Sequence, residues 1–92
     1  MPVCEFDKQV GRAISAIRAV KNHTSADCMS EAIGISRSSL TRYERGEQRT
    51  PAAIINKIAR WYGGDDTEMV ANAILYIYGI GKLNIRNRKN VQ

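Results

Sequence analysis

Residues 25–46 read SADCMSEAIGISRSSLTRYERG, and the spacing of their apolar side chains predicts two short helices. Met29 and Ile33 are four positions apart, so they share one face of a first helix. Leu40 and Tyr43 are three positions apart and share one face of a second helix. This stretch therefore predicts two helices that pack their apolar faces into a common core.

The residues between and around these helices predict where each one begins and ends. Gly34 interrupts the apolar pattern, and glycine adopts the left-handed conformation that ends a helix without steric penalty. Thr24 or Ser25 can cap the first helix, Ser36 can cap the second, and Gly46 can end it. The sequence thus predicts a helix-turn-helix over residues 25–46.

The outward face of the second helix carries basic and hydroxyl side chains. With Leu40, Tyr43 and Glu44 turned inward, the opposite face of this helix has no acidic residue and consists of Arg37, Ser38, Thr41, Arg42 and Arg45. An α-helix fits the major groove of B-DNA, where arginine can donate two hydrogen bonds to guanine. We therefore expect Arg37, Ser38, Thr41 and Arg42 to read bases; a merely solvated polar face is the alternative.

Length and charge narrow the class of protein. The 92 residues suit one small domain, and the net charge of +5 favours a polyanionic partner such as nucleic acid. We expect a cytoplasmic protein, because no signal peptide or membrane span is evident. One histidine and two distant cysteines predict no metal site, and we expect no cofactor, small-molecule ligand or enzymatic activity.

The stretch GISRSSLTRYERG resembles the recognition-helix region of the phage repressor and Cro group, the xenobiotic-response-element (XRE) type of regulator. The resemblance extends over about residues 10–63. It implies an all-α, lambda-repressor-like domain of four to five helices, here with a short C-terminal arm or strand. Ser30 is small, as the family requires where the two motif helices approach each other.

The resemblance also implies roles for residues outside the base-reading face. A helix-1 arginine in the family often pairs with a glutamate of the recognition helix, which predicts an ion pair between Arg18 and Glu44. The loop after the recognition helix follows the DNA backbone in the family. The phosphate-contact candidates are Ser25, Ser36, Ser39, Arg45, Gln48 and Arg49.

The flanking sequence predicts further helices. The apolar spacing of Val10, Ile14, Ile17 and Val20 predicts a helix over about residues 7–21, in which Gly11 permits close approach of a neighbour. Thr50 and Pro51 predict the start of a fourth helix, which continues to Tyr62. Asp65 and Glu68 predict a capping box that begins a fifth helix, running to about residue 78.

The fifth helix is apolar on most sides, which predicts a protein interface. We expect a homodimer contact made by Val70, Ala71, Ile74, Leu75, Ile77 and Tyr78. Two alternatives stay open: the helix only completes the core of one chain, or residues 74–86 form a strand, because 74–78 are rich in strand-forming residues. Leu83 and Ile85 alternate with polar residues, which predicts an extended basic arm.

These observations divide the chain by role. Residues 1–64 are expected to form the DNA-binding part, and residues 65–92 a dimerising helix and basic arm of the same compact domain. The expected function is a dimeric repressor of phage or plasmid type that binds an inverted-repeat operator in double-stranded DNA. A transcriptional activator, and an antitoxin or other interaction module that uses the apolar helix, are the alternatives.

Overall fold

The computed structural model describes residues 4–21 and 25–81, and these residues form five α-helices. The expected all-α fold is confirmed. No strand occurs within the described ranges, and none of their helices combines the length and apolar character needed to cross a membrane. The helices are α1 (Glu5–Val20), α2 (Ala26–Ile33), α3 (Arg37–Arg45), α4 (Ala52–Gly63) and α5 (Thr67–Ile77).

The predicted helix-turn-helix is formed by α2 and α3, and local capping explains its boundaries. The Ser25 hydroxyl accepts a hydrogen bond from the Cys28 amide at 3.1 Å, and the Ser36 hydroxyl accepts one from the Ser39 amide at 3.1 Å. Gly34 ends α2 with φ of 78°, in the left-handed region that favours glycine. The turn therefore needs no support from distant parts of the chain.

The core lies at the meeting point of all five helices. The predicted inward faces of α2 and α3 are buried, but Val20 of α1 is 38% exposed, which ends the buried stripe one turn early. The largest fully buried side chains come from each of the five helices and are Ile14, Ile17, Met29, Leu40, Ile58 and Ile77. Burial of this kind stabilises the fold by roughly 1.5–3 kcal/mol for each large side chain.

The starts of α4 and α5 each differ from prediction by one residue. Pro51 occupies the N-cap position of α4, not its first helical position, so Thr50 lies one residue too early to cap the helix and is buried instead. Asp66, not Asp65, caps α5, and its carboxylate accepts from the amides of Glu68 and Met69, each at 3.1 Å. In both cases the boundary moves by one residue within a run of residues that can begin a helix.

The C-terminal turn of α5 packs on α1, and this contact corrects two expectations. Residues 74–77 are helical, so the strand alternative is wrong there; its remainder from 82 onward, and the predicted basic arm, lie outside the described residues. Ile77 is fully buried in its own chain, so it is a core residue and is not available to a second copy. Gln9 of α1 also holds this turn in place, because its side-chain amide donates to the Ile77 carbonyl at 2.9 Å.

Candidate nucleic-acid interface

α3 presents two chemically opposite sides. Leu40 and Tyr43 are buried, whereas Arg37, Ser38, Arg42 and Arg45 are exposed. Thr41 is half-buried, and its hydroxyl donates to the Arg37 carbonyl at 3.0 Å. Its proton is therefore used within the helix, which leaves the Thr41 methyl group and an oxygen lone pair for an outside partner.

The inward edge of α3 is bound to α1 by an ion pair. Arg18 Nε donates to Glu44 Oε2 at 2.8 Å, and Arg18 Nη2 donates to Glu44 Oε1 at 2.9 Å. The pair that the family resemblance implied is thus present, in the two-bond geometry that makes arginine–carboxylate contacts strong. The hydrogen bond to Glu44 raises the pKa of Arg18, although its partial burial acts in the opposite direction.

A glycine sets the distance between α1 and α3. A Cβ atom added at Gly11 would collide with the backbone carbonyl oxygens of Tyr43 and Glu44. A Cβ atom added at Gly46, at the end of α3, would likewise collide with the backbone of Lys8. The orientation of α3 is therefore fixed by backbone contact at two points as well as by the ion pair.

The outward face of α3 itself carries no acidic residue, as predicted, but Asp27 and Glu47 border it from outside the helix. Asp27 of α2 lies 3.4 Å from Arg37 Nη1, and Glu47, just after α3, lies 3.7 Å from Arg45 Nη1. Both acids line the same shallow depression as Arg42. Inspection of α3 alone missed them, although their places in the first turn of α2 and directly after Gly46 were visible in the sequence.

The serine hydroxyls proposed for phosphate contact already have roles within the chain; Ser25 and Ser36 are exposed and Ser39 is half-buried. Ser25 and Ser36 cap their helices, and Ser36 Oγ lies 3.0 Å from Ser39 Oγ and 3.4 Å from Ser38 Oγ. Three hydroxyls therefore cluster at the N-terminus of α3. Because a helix N-terminus carries partial positive charge, this cluster is placed where phosphate oxygens are favoured.

The loop after α3 carries two phosphate-contact candidates, and they differ in whether the side chain already has a partner within the chain. Gln48 is exposed, whereas Arg49 Nε donates to Asp7 Oδ1 of α1 at 3.0 Å and its guanidinium lies 6.0 Å from the centre of the Phe6 ring. The bond to Asp7 raises the pKa of Arg49. Arg49 remains accessible to solvent but can bind a phosphate only by leaving or sharing Asp7.

An apolar stripe on the outer side of α5 is the second notable surface. Its residues recur at helical spacing; they are Ala71, Ile74, Leu75 and Tyr78. Ala71 and Leu75 are exposed, with Leu75 at 43%, and Ile74 is half-buried. Tyr78 is also half-buried, because its ring stacks on Phe6 at a centroid distance of 6.4 Å. Val70 lies closer to α4, beside Gly63.

The chemistry of the described residues gives no sign of a metal site. Across 4–21 and 25–81, no three histidine, cysteine, aspartate or glutamate side chains converge in a way that could hold an ion. Cys4 and Cys28 are both free and exposed.

Two capped helices joined at a left-handed glycine, with a third helix fixed across the second, define a helix-turn-helix module. The chain belongs to the helix-turn-helix domain family, whose model matches residues 9–71. None of the curated proteins matches the sequence.

Similar solved structures support the same fold. Two crystal structures of the clp gene regulator ClgR from Corynebacterium glutamicum resemble this chain, each with a TM-score of 0.66. The first is 22% identical in sequence, and the match covers 85% of this chain and 78% of the ClgR chain. The second is 21% identical, and the match covers 88% of this chain and 97% of the ClgR chain. At this identity the likeness establishes the fold.

Proposed function

We propose that this protein is a regulator of transcription that binds double-stranded DNA in a sequence-specific manner. The observation that carries the proposal is the outward face of α3, where exposed arginines and hydroxyls stand on a helix held rigidly from beneath. Family membership and the fold shared with a gene regulator support the same class.

Base recognition is assigned to Arg37, Ser38, Thr41 and Arg42, which enter the major groove. Arg42 is the central arginine of this group and has no ion-pair partner among the described residues, so its guanidinium is free to donate two hydrogen bonds to a guanine. Arg37 and Arg45 each have an acidic neighbour and must share it or leave it on binding.

Phosphate contacts supply the sequence-independent part of the affinity. We assign them to polar groups around α3 and its flanking turns, all exposed except the half-buried Ser39, namely Ser25, Ser36, Ser39, Arg45, Gln48 and Arg49. The net charge of +5 strengthens this attraction. Since bound cations release counterions from DNA, affinity should fall steeply as salt increases.

The outer stripe of α5 is the proposed contact between two copies of the chain. Leu75 and Ala71 lie at its exposed centre, and Ile74 and Tyr78 extend it. Ile77 no longer belongs to this set because it is buried. A two-fold axis through such a contact would place two α3 helices about 34 Å apart, which requires an inverted-repeat operator.

Repression from the nucleoid of a bacterial cell is the proposed biological outcome. It is supported by the resemblance of residues 34–46 to phage repressors of the XRE type. A bound dimer whose operator overlaps a promoter blocks polymerase without any further domain.

The decisive experiment is selection of bound duplexes from a random DNA pool, at two salt concentrations. Enrichment of an inverted repeat is the expected result. Arg42→Ala should then lose about 1–3 kcal/mol of discrimination at one base position of each half-site. Selection without any enriched sequence would contradict the proposal, and unchanged preference in Arg42→Ala would contradict the assignment of Arg42.

The dimer is tested separately by light scattering during gel filtration. A particle of twice the chain mass is expected, because Ala71 and Leu75 leave the outer side of α5 apolar and exposed. A monomer at tens of micromolar would contradict the homodimer and would favour a different protein as the partner of α5.

A further inference from the structure

The acidic residues that border α3 carry the same sign of charge as the DNA that this surface is proposed to bind, so they are expected to repel it. Asp27 and Glu47 have side chains that are 74% and 50% exposed, and they line the same depression as Arg37, Arg42 and Arg45. Any DNA seated on this depression brings phosphates towards both carboxylates. Like charges placed opposite each other suppress unsuitable partners.

Helix stability accounts for one of these acids but not for the other. Asp27 lies in the first turn of α2, where the helix dipole favours a negative charge. Glu47 follows the C-terminal end of α3, where the same dipole disfavours it. Glu47 instead has Arg45 as its neighbour, at 3.7 Å. An exposed ion pair of this kind stabilises the fold by at most about 1 kcal/mol, so the larger consequence of Glu47 is the negative charge it adds to the proposed DNA-facing surface.

We propose, on the basis of the DNA-binding function above, that Asp27 and Glu47 are specificity-determining residues that weaken binding to DNA of the wrong sequence. Non-specific binding arises almost entirely from attraction between cations and phosphates, so two carboxylates beside Arg37 and Arg45 reduce it directly. This mechanism discriminates by penalising the competitor, as specific interfaces often do.

The operator complex escapes much of this penalty through geometry. With the correct base pair in place, Arg37 can keep one edge towards Asp27 while its other edge donates to a guanine, and the carboxylate can accept from a neighbouring cytosine amino group. On a wrong sequence these partners are missing, and the carboxylate faces phosphate without compensation. The acids therefore lower affinity for all DNA but lower it least for the operator.

The test compares Asp27→Asn and Glu47→Gln with the wild-type chain on two duplexes, the selected operator and a shuffled sequence of equal length. Each variant keeps the shape of the side chain and removes one charge. We expect binding to the shuffled duplex to tighten about five-fold, the size of one exposed charge pair, and binding to the operator to tighten two-fold or less. The salt dependence on shuffled DNA should become steeper.

Glu31→Gln is the matched control. Glu31 is an exposed acid of the same helix as Asp27, but it lines a different depression together with Lys57 and Arg60. Its neutralisation raises net charge by the same amount and should leave the ratio of the two affinities unchanged. Circular dichroism and thermal unfolding of each variant verify that the fold is intact.

The outcomes separate this inference from the function on which it rests. A wild-type protein that binds both duplexes equally would overturn DNA-sequence recognition itself. A wild-type preference that survives Asp27→Asn and Glu47→Gln unchanged would overturn only the role of the acids. Equal effects of Glu31→Gln would show that net charge alone acts, and parallel weakening on both duplexes would show that the acids merely position the arginines; either result rejects the proposal.

Discussion

α3 and α5 bury one side each in the same core, but their outer sides are opposite in chemistry. α3 turns arginines and serines outward, whereas α5 turns Ala71 and Leu75 outward. The requirement to fill the core constrains both inner faces in the same way and leaves the outer faces free to differ. Information about partners therefore lies in the outer faces: a charged one suits DNA, and an apolar one suits protein.

The two helices also differ in how they are held. α3 meets α1 through backbone contact at Gly11 and through the Arg18–Glu44 ion pair. α5 meets α1 through side chains, by the stacking of Phe6 on Tyr78 and the hydrogen bond from Gln9. Backbone contact tolerates little adjustment, so the helix proposed to read bases has the more exact orientation.

The largest effect is expected from Gly11→Ala. The new Cβ would meet two backbone carbonyl oxygens, which cannot rotate away as a flexible side chain can. Alanine favours the helix by about 1 kcal/mol relative to glycine. The overlap should outweigh this gain and leave a net loss of about 2–3 kcal/mol in the free energy of unfolding, measured by urea denaturation.

Gly34→Ala is the control for this prediction. Gly34 has φ of +78°, but a Cβ there would have no atom within 4 Å. Only the backbone conformation is disfavoured, at about 1 kcal/mol. If Gly34→Ala proved more destabilising than Gly11→Ala, the close contact of α1 with α3 would be wrong.

The second-largest loss of stability is expected from breaking the Arg18–Glu44 ion pair. Arg18→Met should lower the free energy of unfolding by about 2 kcal/mol, because it leaves the largely buried Glu44 carboxylate without its two donors. Arg18→Lys keeps the charge but cannot form both bonds, so it should lose about half as much. Equal losses in the two variants would show that charge alone matters here.

The pH dependence of the stability that this ion pair contributes follows from the direction in which the pKa of Arg18 is shifted. The pKa of Arg18 is raised in the folded state, so its stabilising contribution is fully present below the ordinary arginine pKa and is lost only as pH rises through the higher, folded-state value. The difference in unfolding free energy between wild type and Arg18→Met should therefore stay constant from pH 7 to pH 10. A difference that shrinks across this range would contradict the assignment.

The part of the fold set by neighbours in sequence could be predicted, and the part set by distant contacts could not. Ser25, Gly34 and Ser36 act within a few residues, so the boundaries of α2 and α3 follow from local chemistry. The burial of Ile77 depends on α1, which lies far away in the sequence. The pattern of α5 alone could not distinguish its core side from its exposed side.

The same distinction explains what was missed at the candidate interface. The outward residues of α3 follow from helical spacing. Asp27 and Asp7 reach Arg37 and Arg49 from other helices, and only the tertiary fold places them there. The Arg18–Glu44 pair is also a distant contact, and family resemblance implied it where spacing could not.

The third effect concerns the outer side of α5. Leu75→Glu places a charge at the exposed centre of the apolar stripe, so it should abolish the homodimer while changing the free energy of unfolding of one chain by less than about 0.5 kcal/mol. Light scattering and urea denaturation measure the two quantities. Ile77→Val, on the buried side, should instead leave the dimer intact and cost about 1 kcal/mol of stability. A dimer that persists in Leu75→Glu would place the contact elsewhere.

The smallest effect on DNA binding is expected from a change at Arg49, which lies in the loop after α3 and contacts Asp7 and Phe6 of α1. A free arginine that contacts phosphate changes the salt dependence of DNA binding by about one unit when it is removed. Arg49 is already bound to Asp7 at 3.0 Å, so part of its charge is cancelled before DNA arrives. Arg49→Ala should therefore reduce the salt slope by clearly less than one unit, measured by titration of the operator at several salt concentrations.

Asp7→Asn sharpens this prediction because it frees Arg49 without removing it. In that background the same Arg49→Ala change should reduce the salt slope by the full unit, since the guanidinium no longer shares its charge with a carboxylate. Equal slopes in the two backgrounds would mean that Asp7 does not restrain Arg49. If Arg49→Ala left the salt slope unchanged in both backgrounds, Arg49 would not contact phosphate. It would only link the loop after α3 to α1, and the proposed DNA-facing surface would end at Gln48.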